Sequence, residues 1–357
     1  MATISIIVPV YNAEEYVAHT LDSLIGQTHS DLEIICVDDG SRDSSLNILR
    51  EYASRDARIL VFPQENGGVS AARNAAMSHA TGDILMFVDA DDTLVPDACE
   101  KVASIFQSQH PEVLTFGLAC DPPEAAPATL RRELTPPAKT YNGFKSDLLF
   151  KDNARPYACR TAISREFAER EGVRFEPGIA LGEDQVFYFA VYPFSRKTVL
   201  IPDQLYVYRM NDASATHAST DGRERLLKKL DQHLMVIEAI SRIWAERGLR
   251  HFCSEEYLEW CMAFLMLDVS KLPPQDQRPV YQRLTASLSD LFGRNLGEIA
   301  RRIPTKRCLA DIQSALKDGG SADKPVVNSM NLVVYYLMYR GFVQCAERVL
   351  MRLGVVK

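Results

Sequence analysis

Short apolar runs alternate with amphipathic stretches along the first part of the chain. The runs carry almost no charge and predict strands, the fourth of them buried on both faces. The stretches between them place apolar residues on one face at helical spacing, and Asn12 is expected to cap the first helix, Ala13–Gln27. Four strand–helix units in succession predict an α/β fold, a doubly wound and mainly parallel sheet with ligand groups at the carboxyl ends of its strands. The runs are Ile4–Val10, Leu32–Val37, Ile59–Phe62 and Ile84–Val88.

The pattern changes twice further along the chain. Two separate short strands are predicted at Thr198–Ile201 and Leu205–Arg209. The segment Asp121–Lys139 is rich in Pro, Ala and Glu and predicts an exposed loop or flap. Beyond it, from about residue 219, the apolar spacing is almost entirely helical. We therefore expect a nucleotide-binding and catalytic domain at 1–218 and a helical C-terminal region at 219–357.

Composition and cysteine usage are those of a folded protein from the cytoplasm. Of the 357 residues, 46% are hydrophobic and 24% are charged, as in ordinary globular domains. The eight cysteines form no Cys-x-x-Cys pair and lie mostly in apolar surroundings, which predicts reduced, buried thiols. The apolar run Ile4–Val10 is too short for a signal segment or a membrane span, so we expect a cytoplasmic protein.

Charge is unevenly distributed along the chain. Residues 1–217 contain 19 Lys and Arg against 31 Asp and Glu, a net charge of −12, whereas residues 218–357 carry +5. The acidic first part argues against a nucleic-acid groove. The basic second part is compatible with contact to an acidic surface or a phosphorylated lipid, and equally with ordinary variation of surface charge.

Three carboxylates follow the fourth predicted strand within four positions. Asp89 and Asp91 project to the same side of an extended chain, so they can converge on one hard cation such as Mg²⁺ or Mn²⁺. With so few protein ligands, the ion would complete its shell with phosphate oxygens. The alternative is an acidic turn in which Asp92 caps a helix that starts near Pro96.

Further polar motifs recur in order at predicted strand ends and helix starts. Tyr11 offers an aromatic face and Asp39 a carboxylate that suit a nucleotide base. Gly67 and Gly68 would let the backbone come close to a ligand. The motifs are Pro9-Val10-Tyr11-Asn12, Asp38-Asp39-Gly40-Ser41, the stretch from Asn66 to Asn74, Asp89-Ala90-Asp91-Asp92 and Gly182-Glu183-Asp184.

The five motifs, taken together, make the stretch from Thr3 to Thr216 resemble the family 2 glycosyltransferases, nucleotide-sugar-dependent enzymes of the GT-A fold. The helical C-terminal region lies outside the resemblance. The resemblance implies a sugar donor carried by uridine diphosphate and a glycan or lipid-linked acceptor. It also implies a role in the assembly of bacterial surface polysaccharide.

The resemblance assigns residues to the donor. Asp89 matches a position that approaches the ribose, and Arg209 matches one near the diphosphate, where His217 is an alternative. Four residues match positions that line the base, and four more complete the expected donor contacts. The first four are Pro9, Tyr11, Asp39 and Arg73, and the others are Asp38, Gly67, Gly68 and Ala90.

The resemblance also implies how transfer occurs. Asp91, with Asp89, would hold the divalent cation that neutralises the departing diphosphate. Asp184 matches the general base that removes the proton of the acceptor hydroxyl, and Glu183 beside it would orient acceptor or base. One base acting opposite the leaving group implies a single displacement that inverts the anomeric centre.

Plainer explanations exist for each residue. Tyr11 could pack at a strand end, Arg73 could form a surface ion pair, and the glycines could close a left-handed turn. Glu183 and Asp184 could merely complement a helix dipole. Among other classes, a dinucleotide-dependent oxidoreductase lacks its Gly-x-Gly-x-x-Gly after the first strand, and a nucleotidyltransferase lacks its Gly-rich loop. A non-catalytic nucleotide-binding scaffold remains the alternative. The presence of Asp89, Asp91 and Asp184 argues against it.

The end of the chain, Val326–Leu353, is apolar and aromatic but interrupted by arginines. It is too broken to span a membrane. Its pattern is typical of a helix lying on the inner membrane surface, and also of a helix that packs on the catalytic domain or forms a homodimer contact.

Overall fold

The structure, a computed structural model, separates into two compact units, Met1–His217 and Ala218–Lys357. Both units contain parts that are outside the described residues. The division between catalytic and helical regions by function stays a prediction. The structure describes residues 2–123, 131, 133–155, 157–210, 222–293, 295–317 and 324–341.

The described strands of the first unit form one nine-stranded mixed sheet. Its order is β3-β2-β1-β4-β8-β6-β9-β5, with β7 paired to the side of β9. The strands are β1 (Ile4–Val10), β2 (Leu32–Asp38), β3 (Ile59–Pro63), β4 (Ile84–Phe87), β5 (Thr93–Leu94), β6 (Val113–Asp121), β7 (Lys139–Asn142), β8 (Thr161–Ser164) and β9 (Lys197–Arg209).

Helices connect most of these strands. Short 3₁₀ turns lie at Ala158–Arg160 and Tyr192–Phe194. The α-helices are α1 (Val17–Ile25), α2 (Ser45–Arg55), α3 (Val69–His79), α4 (Ala98–Gln109), α5 (Asp147–Phe150), α6 (Arg165–Glu171) and α7 (Glu183–Val191).

The first four strands carry the predicted architecture. β3, β2, β1 and β4 are all parallel, joined by α1, α2 and α3, and every residue of β1 and β4 is buried. Most paired residues of the whole sheet lie in parallel ladders, because the antiparallel ladders of β5, β7 and β8 are short. The prediction of an α/β fold with a mainly parallel sheet is confirmed.

Two local predictions are wrong. The first helix begins at Val17 instead of Ala13, and Asn12 does not cap it: Asn12 has φ +48°, and its side-chain oxygen accepts a hydrogen bond from Arg42 N–H (2.8 Å). The two strands expected before residue 210 are one strand, β9. Its pairing with β6 shifts at Gly117, where an added Cβ would lie 2.7 Å from the Pro202 carbonyl oxygen, so this glycine lets the two backbones approach.

The cysteine prediction holds for the part of the chain that the structure describes. None of those seven cysteines is paired, and all but the half-buried Cys253 are buried. Cys345 lies outside the described residues, and so do residues 124–130 and 132 of the expected flap 121–139. Of that segment, Asp121 ends β6 and Leu134 is buried in the core.

The second unit is helical wherever it is described. Trp244 and Tyr257 pack in its core with ring centroids 4.8 Å apart. Tyr335 and Tyr336 of the last described helix donate to the carbonyls of Glu259 (2.6 Å) and Ala263 (2.8 Å). The helices are α8 (Arg223–Glu246), α9 (Ser254–Val269), α10 (Pro274–Phe292), α11 (Leu296–Ile299), α12 (Ile303–Lys317) and α13 (Ser329–Arg340).

The apolar C-terminal region thus has a packing role over its described part. Val326 and Val327 are buried as well. Three apolar side chains of α13 are nevertheless exposed on the side opposite its tyrosines, Met330 (69%), Val333 (54%) and Met338 (61%). Residues 342–353 of the region lie outside the described residues. None of the described helices has the length and hydrophobicity needed to cross a membrane.

Candidate active site

Three strand ends bring the aromatic and acidic motifs side by side. β1 pairs in parallel with both β2 and β4, and its last residue, Val10, lies opposite Asp38. The residues that follow these strands therefore emerge at one edge of the sheet. Tyr11, directly after β1, is 47% exposed, so its ring is accessible to a ligand. Pro9 is buried within β1, and its contact with a nucleotide base stays a prediction.

The carboxylate of Asp39 holds the glycine loop that follows β3. One oxygen accepts hydrogen bonds from Gly67 N–H (2.8 Å) and from the Gln64 amide (2.7 Å), and the other accepts from Gly68 N–H (2.8 Å). Gly68 has φ +86°, a left-handed conformation that favours glycine, directly before α3. Asp39 therefore fixes the loop backbone, and its contact with a nucleotide base stays a prediction.

Buried polar atoms without a partner gather at the same edge. Asp38 Oδ1, Ser70 Oγ and Arg73 Nε have no hydrogen-bond partner in the described part of the chain. Only two other buried side-chain atoms there share this property, on His233 and Ser254 of the second unit. Buried polar groups are normally paired, so three of them at one sheet edge are consistent with a site for a polar ligand.

Tyr206 and Arg209 of β9 hold the acidic turn that follows β4. The Tyr206 hydroxyl donates to Asp92 Oδ2 (2.6 Å) and accepts from Asp89 N–H (3.1 Å), and Arg209 N–H donates to Asp92 Oδ1 (2.7 Å). Burial, then the charges of Asp89 and Asp91, raises the pKa of Asp92 well above its usual range. The alternative in which Asp92 caps the next helix is wrong, because both of its oxygens accept hydrogen bonds from β9 and the residue before α4 is Asp97.

The remaining predicted donor contacts lie on this turn too. Arg209 Nε donates to the carbonyl of Asp91 (3.2 Å), and the Ala90 carbonyl accepts a hydrogen bond from the Thr20 hydroxyl (2.9 Å). Arg209 is thus placed beside the acidic turn, where the phosphate contact was predicted. His217 lies outside the described residues.

Arg73 of α3 connects the acidic turn to the start of α7. One terminal nitrogen of its guanidinium lies 2.8 Å from Asp89 Oδ1, and the other lies 3.0 Å from Glu183 Oε1 and 3.4 Å from Asp184 Oδ1. The guanidinium also lies over the ring of Phe175, 5.0 Å from its centroid. The structure therefore brings four predicted site residues together, and the idea that Arg73 forms a surface ion pair is wrong because Arg73 is buried.

Asp184 has the environment of a base that titrates near neutral pH. It follows Gly182, whose φ of +91° turns the chain into α7, and its side chain is 17% exposed. Burial, followed by the charge of Glu183, raises the pKa of Asp184 to about 7, against the opposing effects of Arg73 and a hydrogen bond from Ala158 N–H. The helix dipole alone would lower this pKa, so more than dipole complementation is present.

The acidic turn fits a divalent cation. Asp89 is 34% exposed and Asp91 is half-buried, so their hard carboxylate oxygens lie within reach of solvent. One guanidinium faces three carboxylates, which leaves a surplus of negative charge that a cation would reduce. No group of three or more His, Cys, Asp or Glu side chains suited to a metal is found among the described residues.

Three residues of the site were not predicted from the sequence, Tyr206, Asn74 and Phe175. Tyr206 stands among the alternating residues of β9 with nothing to distinguish it from a core tyrosine. Asn74 had a signal, since it follows Arg73 in the motif, but no role was assigned to it. Its side chain bonds the backbone of Phe175, 101 residues away, and no local pattern could have indicated that contact.

Comparison with known proteins gives the family. The profile described as glycosyl transferase family 2 matches residues 5–171. An uncharacterised glycosyltransferase of Bacillus subtilis (strain 168), EpsJ, is 32% identical over 261 residues, which cover 71% of this chain and 73% of that protein. The chain belongs to the family 2 glycosyltransferases and is a glycosyltransferase.

Two further relatives extend the comparison. The poly(ribitol-phosphate) beta-glucosyltransferase of Bacillus spizizenii is 30% identical over 209 residues, 57% of this chain and 32% of that protein. The crystal structure of residues 1–349 of TarS from S. aureus, in complex with UDP-GlcNAc, superimposes with a TM-score of 0.54 at 17% identity, over 86% of this chain and 91% of that one. The fold is therefore of the GT-A type.

Proposed function

We propose that the protein is an inverting, metal-assisted glycosyltransferase that moves a sugar from a nucleoside diphosphate, with uridine diphosphate as carrier, to a hydroxyl of a glycan or lipid-linked acceptor. The observation that carries the proposal is Asp184, a carboxylate with a pKa near 7 held by Arg73 within reach of the acidic turn. The TarS structure with UDP-GlcNAc supports a uridine-linked donor.

The base step follows from the position of Asp184. An acceptor hydroxyl has a pKa far above 7, so its proton must leave as its oxygen attacks the anomeric carbon. Asp184 accepts that proton while the bond between the anomeric carbon and the diphosphate oxygen breaks. Attack opposite the leaving group inverts the anomeric centre and forms no covalent enzyme intermediate. Glu183, which shares the Arg73 guanidinium, orients the base.

The donor is held at the carboxyl edge of β1, β2 and β4. The exposed ring of Tyr11 covers the base, and the glycine loop fixed by Asp39 lets the backbone come close to the nucleotide. Asp38 and Arg73 contribute buried polar atoms that have no partner among the described residues. Asp89 approaches the ribose, Arg209 lies near the diphosphate, and Ala90 completes the donor contacts.

Asp89 and Asp91 are the residues that would hold the divalent cation. Bound there, Mg²⁺ or Mn²⁺ would neutralise the charge that develops on the departing diphosphate. Arg209 adds a positive charge on the same side of the turn.

A donor screen tests the proposal. The full chain is incubated with a panel of nucleotide sugars and candidate acceptors, and both the released nucleoside diphosphate and the glycosylated product are measured. Asp184→Asn keeps the size of the side chain but cannot accept the proton, so turnover should fall by ~10²-fold or more with donor affinity little changed.

The matched control is Asp203→Asn, which alters a half-exposed surface carboxylate paired with Lys101 and should leave turnover unchanged. A chain that binds nucleotide but never turns over any donor would be the scaffold. Lost donor binding with normal turnover at saturation would move Asp184 into the nucleotide pocket.

Two partner hypotheses concern the exposed apolar side of α13, a peripheral contact with the inner face of the cell membrane or a contact in a homodimer. Co-sedimentation with anionic liposomes and the mass in solution distinguish them. Replacing Met330, Val333 and Met338 together by serine should abolish whichever association is observed.

A further inference from the structure

Asn74 makes a paired hydrogen-bond contact with a distant backbone segment. Its amide nitrogen donates to the Phe175 carbonyl (2.8 Å), and Phe175 N–H donates to its side-chain oxygen (2.9 Å). The amide thus satisfies both backbone groups of one residue, as a neighbouring strand would. This fixes Phe175 against α3 in position and orientation.

The ring of Phe175 lies between two parts of the catalytic cluster. The Arg73 guanidinium lies 5.0 Å from its centroid, and the ring of Phe187 stacks on it at 4.5 Å with an angle of 8° between the planes. Phe187 belongs to α7 and lies three residues after Asp184, which places the two on neighbouring positions of one helix face. The buried ring of Phe87, at the end of β4, contacts both phenylalanines edge to face.

We propose that Asn74 is a positioning residue for the catalytic carboxylates, acting through Phe175 on the first turn of α7. The proposal rests on the function proposed above. Arg73 and Asn74 are consecutive on α3 and reach α7 by two routes, the first by ion pairs to Glu183 and Asp184 and the second by a backbone contact and a stacked ring. Two independent attachments restrict the base in both distance and angle.

Loss of the contact between Asn74 and Phe175 should slow the reaction without weakening the binding of the donor. The ion pairs of Arg73 would persist, but α7 could shift by a fraction of an ångström, and misplacement of this kind costs rate more than binding. We expect Asn74→Ala to lower kcat about 10-fold while the KM for the donor stays within about two-fold.

Phe175→Leu tests the same route by a different change. It keeps the backbone contact with Asn74 and removes the stacked ring, so kcat should fall in the same way. If Asn74→Ala does not fold, kcat of a folded Phe175→Leu protein still tests the positioning role.

Gln27 offers a matched control. Its side-chain amide also joins backbone groups of different elements, donating to the carbonyls of Val95 (2.9 Å) and Ser23 (3.0 Å) and accepting from Cys99 N–H (3.0 Å), and none of these partners belongs to α7. Gln27→Ala should lower the melting temperature about as much as Asn74→Ala does and leave kcat unchanged. Equal losses of kcat in both variants, or full kcat in Asn74→Ala and Phe175→Leu, would overturn the positioning role.

Amide hydrogen exchange separates this proposal from the proposed function. In Asn74→Ala, amides of residues 185–188 should exchange faster than in the unaltered chain, whereas Gln27→Ala should leave them protected. This readout needs no turnover, so an inactive unaltered chain would refute the enzymatic proposal alone. Unchanged exchange at 185–188 in Asn74→Ala would refute the positioning role whatever the activity.

Discussion

At the level of single residues, the site is governed by the surplus of carboxylates around Arg73. Burial and Glu183 raise the pKa of Asp184, while the guanidinium lowers it, and the balance lies at about 7. A carboxylate left in water, with a pKa near 4, would be a far weaker base for a hydroxyl proton. Asp184 is thus a stronger base because it is buried next to another carboxylate.

The rate should therefore depend on pH in a defined direction. Asp184 acts as a base only when ionised, so kcat/KM should rise as pH increases through about 7 and then level off. The measurement is a pH profile of kcat/KM at saturating metal. Because the charge of Glu183 is, after burial, the next largest cause of the raised pKa of Asp184, Glu183→Gln should move the midpoint to lower pH. A flat profile between pH 5 and 9 would contradict the assignment.

Metal dependence provides a second prediction at this scale. Asp91→Ala removes one of two proposed cation ligands, so transfer should be abolished and nucleoside diphosphate binding should lose its dependence on Mg²⁺ or Mn²⁺. Calorimetry with and without metal measures the binding, and thermal melting checks the fold. Full activity of this variant, or of the unaltered chain in excess chelator, is the contradicting outcome.

At the level of elements, the four parallel strands β1 to β4 could be predicted almost to the residue, although β3 is buried only at Ile59. The predicted first strand has the observed bounds, Ile4–Val10, and the next three differ by one residue at one end. A strand buried on both faces requires an uninterrupted apolar run, and few other structures do. Helix starts were less predictable. Asn12 suits a helix cap, but its side chain instead bonds Arg42 in the next loop, a tertiary contact that outweighs local preference.

The site likewise has residues that the sequence predicts and contacts that it does not. Asp89 and Asp184 could be predicted because they follow a strand and open a helix, positions that the sequence reveals. Their joint contact with Arg73 could not, because it depends on three segments separated by 16 to 111 residues.

Gly182 gives a prediction that belongs to the helix it precedes. Its φ of +91° is costly for any residue with a Cβ, so Gly182→Ala should destabilise the protein by about 1 kcal/mol and displace the first turn of α7. We expect a lower melting temperature together with a reduced kcat. Gly172→Ala is the control, since that glycine, at φ +63°, ends α6 away from the carboxylates. Equal kcat in both variants would show that the start of α7 tolerates the change.

At the level of the whole molecule, the second unit depends on its last described segment. Ending the chain after Ala322 would remove Val326, Val327, Tyr335 and Tyr336, all buried. Burial of such side chains contributes roughly 2 kcal/mol each, so the truncated chain should melt well below the full chain. Differential scanning calorimetry measures this. An unchanged melting profile would mean that these residues do not stabilise the second unit.

The hold of Asp39 on the glycine loop has a consequence for affinity. A loop with two adjacent glycines would ordinarily lose much conformational entropy when it closes on a ligand, and binding would be weaker by that amount. Here Gly67 N–H, Gly68 N–H and the Gln64 amide are already bonded to one carboxylate. That cost is met when the chain folds, so a nucleotide bound there as proposed would meet a loop that is already ordered and would keep more of its gross interaction energy as affinity.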